Sequence, residues 1–154
     1  MRILQIAKRI IESRNPDVVI GDPADPYLQR WYLIPRNRLF NVYLHRFLKS
    51  DDDRALHDHP WVSLSILLEG EYIEHTIQEG GIHKKKRITG SGFRFRSSKF
   101  AHRIEVTNQS AVTIFITGPA IRGWGFHCPE KGWVHWTKFV DLNNHGQIGK
   151  GCEG

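Results

Sequence analysis

Beyond residue 26 the chain breaks into short runs of β-branched and aromatic residues with turn formers between them. The runs are YLQRWYLI (27–34), LFNVYLHRFL (39–48), WVSLSILLEG (61–70), EYIEHTI (71–77), IHKKKRIT (82–89), GFRFRSS (92–98), HRIEVT (102–107), AVTIFITG (111–118) and WVHWTKFV (133–140). Each has the length and residue types of a strand, and glycine, proline, asparagine, aspartate or serine separates it from the next. So many short strands predict an all-β sandwich or barrel. QEGG joins the fourth and fifth runs and TNQSA the seventh and eighth, both as hairpins. With 154 residues, 40% hydrophobic and 25% charged, one domain with a real core is expected.

The first 26 residues differ. Ile3, Ile6, Ala7, Ile10 and Ile11 follow helical spacing among Arg2, Gln5, Lys8, Arg9 and Glu12, which predicts one amphipathic helix ending near Asn15-Pro16. Packing against the outside of the main body is preferred to lying on a membrane surface. DVVIGDPADP is expected to be a connector. The domain plan is thus helix and connector over 1–26, barrel over 27–140 and a loose tail over 141–154, with no internal repeat.

No apolar run reaches membrane-spanning length, and Lys8 and Arg9 interrupt the segment where a secretory signal would need continuous hydrophobicity. Cys128 and Cys152 are the two cysteines, far apart, so no disulfide framework is expected and the reducing cytoplasm is the simplest location. The formal charge of +6 favours anionic partners. HKKKR lacks the interleaved aromatics of a nucleic-acid platform and is read as lysines guarding an exposed strand, so nucleic acid is not an expected partner.

The chemistry gathers around HDHPW. On extended chain His57 and His59 point to one side and can present two imidazoles to one ion. Nine histidines in this chain already put the chance number of His-x-His pairs at about one half, so the pair needs context. That context is Gly70 at the end of the following run, then TGSGFRFRSSKFAH with a third histidine, His102.

This order resembles the cupin superfamily over about residues 40 to 118. The first cupin motif has a His-x-His, a glutamate and a closing glycine, and the second has a glycine, a proline-glycine turn and a histidine. His57 and His59 match the pair, Gly70 the closing glycine and His102 the later histidine. Ser63 stands where the family's metal-binding glutamate would be. Ser97 and Lys99 replace the second motif's proline and glycine, and Gly90 and Gly92 bracket the position of its opening glycine. The resemblance implies a jelly-roll β-barrel with one divalent transition metal (Fe, Zn, Ni or Mn) held by His57, His59 and His102. It also implies a small-molecule substrate, dioxygenase-like chemistry, and pairing of subunits into a homodimer. Two alternatives stay open: a small-ligand binding barrel without turnover, and an isomerase in which a histidine acts as base and needs a carboxylate to orient it. No such carboxylate is evident in the sequence.

Other residues are weaker candidates. His45 faces away from Val42, Leu44 and Leu48, toward pocket or solvent. Phe93 and Phe95 alternate with Arg94 and Arg96. Arginines facing inward would recognise an anion, but the cost of burying charge favours inward phenylalanines and surface arginines. Arg103 shares the ambiguity. Tyr43, Phe47, Trp61 and Phe100 are expected wall residues. His127, next to Cys128, is read as part of a structural loop, His75 and His83 as a solvent-facing pair, and Asp51 to Asp53 as a solvated turn. Alternation points Asp58 away from the two ligands.

Overall fold

The structure is a computed structural model that describes residues 2–22, 24–50, 55–77, 81, 83–107, 110–143 and 147–153. Helix α1 spans Arg2–Ser13 and stops just before the Asn15-Pro16 step, where proline disfavours helical geometry in the residue ahead of it. The small side chain of Ala7 lets the helix approach closely. Ala7, Ile10 and Ile11 bury against Trp31, Leu33, Leu44, Leu68 and Val112, and Lys8 pairs with Glu69 at 2.7 Å.

Among the described residues twelve strands form two antiparallel six-stranded sheets. The first has the order β1 (Val18–Asp22), β2 (Asp25–Tyr32), β3 (Asn41–Phe47), β10 (Ala111–Thr117), β5 (Ser63–Glu69), β8 (Phe93–Arg96). The second runs β12 (Gly132–His135), β11 (Gly125–Cys128), β4 (Leu56–His57), β9 (His102–Glu105), β6 (Tyr72–Ile77), β7 (His83–Ile88). From β3 onward the chain crosses between the sheets repeatedly, so sequence neighbours face each other across the interior. This is jelly-roll topology.

The inner faces meet in a core of Leu28, Phe47, Leu67 and Ala111 from the first sheet and Tyr72, Ile88 and Ile104 from the second. At one turn only glycine fits: Gly70 has φ +80°, and a Cβ there would lie 2.5 Å from the Ser110 carbonyl oxygen.

The nine expected strand regions all contain strands, and three strands were not expected. DVVIGDPADP is not a bare connector, because β1 pairs with β2 across it with an irregularity at Gly21 that hides its alternation. Strand β4 is two residues long, and β11 carries His127, which is therefore on a strand and not in a loop. The region 133–140 changes structure midway, ending in a short helix, α2 (Trp136–Phe139), because His135 Nδ1 accepts a hydrogen bond from Thr137 N and caps it.

The cysteine expectation is overturned. Cys128 and Cys152 form a disulfide with their Cα atoms 5.5 Å apart. Backbone bonds from Gly149 N and Gly151 N to the Phe139 carbonyl, both 3.0 Å, fold the tail back onto β11 and bring together cysteines that are distant in sequence. The cysteines therefore do not argue for a reducing compartment. No helix among the described residues is long and apolar enough to cross a membrane. Asp51 to Asp53 lie outside the described residues.

Candidate metal centre

The short pairing of β4 with β9 sets His57 directly opposite His102, and His59 follows two residues later. The three rings converge, with centroids 5.1 Å (His57–His59), 5.2 Å (His57–His102) and 5.3 Å (His59–His102) apart. Each ring offers one nitrogen, and these three nitrogens lie within 4.8 Å of one another. The Nε2 atoms of His59 and His102 are separated by 3.1 Å.

Glu74 fixes the tautomer of His102. His102 Nδ1 donates to Glu74 Oε1 at 2.8 Å, which leaves a lone pair on Nε2, the atom facing His59. Burial lowers the His102 pKa, and the hydrogen bond to Glu74 only partly offsets this. Burial, followed by the neighbouring His57 and His102, holds His59 well below 6.5. Burial would raise the Glu74 pKa, but the hydrogen bond from His102 and the charge of Arg96 outweigh it, so Glu74 stays ionised. Neutral imidazoles backed by a carboxylate are the form a transition metal takes up. Two nitrogens each about 2.1 Å from a shared ion sit about 3.0–3.4 Å apart at octahedral to tetrahedral angles. The observed separation fits a metal, and His57, His59 and His102 could hold one.

Glu74 is the residue the sequence reading missed. The missing carboxylate partner is present on β6, where Glu74 shares the inward face with Tyr72; that alternation in EYIEHTI was the available signal. Glu74 also explains why the arginine face of β8 turns inward, against expectation. Arg96 is 4% exposed, while Phe93 and Phe95 are 76% and 71% exposed. Burial of the guanidinium is tolerated because Arg96 Nε donates to Glu74 Oε1 (2.7 Å) and Nη1 to Ser65 Oγ (2.7 Å). Arg94 bonds the Gly92 carbonyl at 2.9 Å and does not line the cavity. Ser63 is buried and does not line the cavity, and its Oγ has no hydrogen-bond partner among the described residues.

The cavity beside the histidines has a volume of about 250 Å³. Its walls are mostly apolar: Phe47, Trp61, Tyr72, Ile104, Phe115, Trp124 and Phe126. Phe47 and Trp61 are wall residues as expected; Tyr43 and Phe100 do not line the cavity but contact the His45 and His102 rings, each at 5.8 Å between centroids. His45 faces the cavity, where its Nε2 accepts a hydrogen bond from Arg30 Nε at 2.8 Å.

Asp58 does point away from the histidines. It accepts bonds from Gly125 N (2.9 Å) and Trp133 Nε1 (3.0 Å), and pairs with Arg122 (3.0 Å) and His127 (3.4 Å), which fastens β4 to β11. His75 and His83 are not a solvent-facing pair. His75 is fully buried, with Nδ1 2.9 Å from His83 Nε2 and Nε2 bonded to Glu105, while Arg103 Nη2 lies 3.3 Å from its ring. Burial was not legible there because the partner, Glu105, comes from β9.

Two facing sheets with a three-histidine group lining the cavity between them define a cupin-type architecture. No protein-family model matches the sequence, and no curated protein matches it. Solved structures do. The chain is similar to iron(II) HppE, at 17% identity over 66% of this chain and 60% of that one, with a TM-score of 0.50. It is similar to the DMSP lyase DddQ from Ruegeria pomeroyi DSS-3, at 17% identity over 72% of this chain and 57% of that one, with a TM-score of 0.53. A cupin superfamily protein from Desulfitobacterium hafniense DCB-2 matches at 11% identity over 74% of this chain and 87% of that one, with a TM-score of 0.51. The match thus spans about 60% of the first two proteins. The fold of this chain is the cupin fold.

Proposed function

We propose that the protein is a mononuclear-metal cupin that holds one divalent transition metal through His57, His59 and His102 and acts on a small, anionic molecule in the adjoining cavity. Dioxygenase-like oxidation is the leading reaction. The observation that carries this reading is the 3.1 Å approach of a half-buried and a buried histidine, both neutral, with the third ring in reach and a carboxylate behind His102. A transition metal supplies Lewis acidity there and, when redox-active, the electrons that oxygen chemistry needs.

The chain's own contribution is separable. Glu74 keeps the proton of His102 on Nδ1 and orients the ring. The mostly apolar walls suit an apolar guest, and the cavity's volume, below the common range of about 300–1,000 Å³ for ligand pockets, selects a small one. With Ser63 at the position of the family's glutamate, the ligand set is three imidazoles, which leaves coordination positions open.

One observation favours a second reading, an isomerase. The Glu74–His102 couple has the form of an oriented general base, with Nε2 as the proton acceptor. Elemental analysis of protein purified without chelator separates the two. About one transition metal per chain is expected, and none in a His57→Ala/His102→Ala variant. A metal-free wild type, unable to take up iron, zinc, nickel or manganese on reconstitution, overturns the metalloprotein reading and leaves the isomerase or a binding barrel.

A further inference from the structure

Two guanidinium groups line the cavity, and their situations differ. Arg96 is neutralised: Glu74 pairs with it, and Ser65 takes another of its donors. Arg30 has no carboxylate within ion-pair distance among the described residues. It is oriented by two neutral neighbours instead. Its Nε donates to His45 Nε2 at 2.8 Å, and its Cζ lies 4.9 Å from the centroid of the Tyr43 ring. The hydrogen bond fixes the rotation of the group and the ring supports its plane. The two Nη nitrogens are bonded to no described residue, and Arg30 lines the cavity.

Burying most of a guanidinium without an anion is costly. Burial accordingly pushes its pKa down from the ordinary value. A stable structure that keeps such a group beside an apolar cavity gains when an anion arrives. The free edge has the planar, two-pronged donor pattern that matches a carboxylate, and the fork is already held in place. Phe115 touches both His45, at 5.1 Å between ring centroids, and His59, at 6.1 Å, so the arginine and the histidine triad face one continuous space.

We propose that Arg30, positioned by His45 and Tyr43, is the anchor for a carboxylate on the substrate, and that the substrate is a small carboxylic acid with a short apolar body. This deepens the proposed function and rests on its reading of the cavity as the substrate site. The carboxylate sits on Arg30, the body lies against Phe47, Tyr72 and Ile104, and the reacting end reaches the histidines. Arg96 and Arg94, the arginines that the sequence suggested for this task, are occupied by Glu74 and by the Gly92 carbonyl.

The test uses three probes, butanoate, 3-methylbutanoate and benzoate, each beside its uncharged amide. Binding is measured calorimetrically to the full chain, both metal-free and zinc-loaded, for wild type, Arg30→Gln and Arg30→Lys. The carboxylates are expected to bind both forms of the wild type, and each amide about thirtyfold more weakly or worse. Arg30→Gln should lose about thirtyfold in carboxylate affinity while its Tm and zinc stoichiometry stay those of the wild type. Arg30→Lys keeps charge and stem but not the fork, so an intermediate loss is expected, and it carries the test if the glutamine variant does not fold. Carboxylate binding unchanged in both variants overturns the proposal, as does equal affinity for acids and amides, or no carboxylate binding at all. Failure of the metal reading looks different. Zinc would not be taken up, yet Arg30-dependent carboxylate binding would persist. Binding confined to zinc-loaded protein and indifferent to Arg30 would leave the metal reading standing and remove this one.

Discussion

His59 lies just past β4 and His102 opens β9, yet their Nε2 atoms lie 3.1 Å apart. His102 Nε2 carries a lone pair there, which either the Nε2–H of a neutral His59 or a bound cation can meet. Burial disfavours an imidazolium in either ring, since both histidines are held below 6.5. A divalent metal is therefore expected to stabilise the fold. Zinc added at about a hundred times its dissociation constant should contribute about 2.7 kcal/mol, visible as a rise in Tm that a chelator reverses. His59→Ala should abolish the rise; a zinc-dependent shift that survives in that variant would place the metal elsewhere.

Glu74 bears two burdens, since it accepts from His102 and from Arg96. Replacing it with glutamine keeps the shape but leaves the Arg96 guanidinium buried without a counter-charge, a change expected to cost about 3–5 kcal/mol. Metal affinity should also fall about 10- to 100-fold, because the orienting carboxylate of a ligand is lost. Pairing Glu74→Gln with Arg96→Met should recover part of the stability but none of the metal affinity. Denaturation and zinc titration of the single and double variants distinguish these effects, and strictly additive losses in stability would count against the coupling.

The inward turn of β8 also marks where sequence reading ran out. In FRFR the alternation announces two faces, and the cost of burying charge favours the aromatic one; the outcome depended on Glu74, which is on a different sheet. His57, His59 and His102 were legible because each sits in a recognisable local pattern, and so was Gly70 at its turn. Arg30 was not, since Leu28 and Trp31 on β2 are both buried, one inside the barrel and the other beneath α1, and alternation cannot tell the faces apart. The disulfide was hidden for a similar reason: it depends on a tail that folds back through contacts with Phe139.

Acid should destabilise the protein through a second histidine cluster. Burial lowers the His75 pKa below 6.5, despite the opposing hydrogen bond to Glu105, and that same bond lowers the Glu105 pKa below 4.5. For His75 the unfolded chain takes up a proton as pH falls through 6.5 and the folded chain does not, so stability is lost from there downward. For Glu105 the contribution is present above 4.5 and is lost as pH falls through its lowered folded value. Both slopes have the same sign, and the other buried histidines add to the first. Denaturant midpoints should therefore fall from pH 7.5 to pH 5, and His75→Gln should fall less steeply than wild type. Equal slopes in the two proteins would remove His75 from the account.

The Cys128–Cys152 bond joins residues 24 apart in sequence and closes a segment that contains β12 and α2. Within that segment Phe139 stacks on Phe126, with ring centroids 3.7 Å apart, and Phe126 lines the cavity and touches His57. Reduction frees the tail that holds Phe139 by its carbonyl, so its effect should reach the pocket. A loss of about 2–4 kcal/mol is expected on reduction or in a Cys128→Ser/Cys152→Ser variant, from the added freedom of the unfolded chain. The test follows Tm and zinc affinity together, with and without reductant. A lower Tm with weakened zinc binding is the expected result, because loosening Phe139 removes the packing behind Phe126 and the His57 ring. An unchanged Tm would mean that the tail contributes no stability through its covalent link.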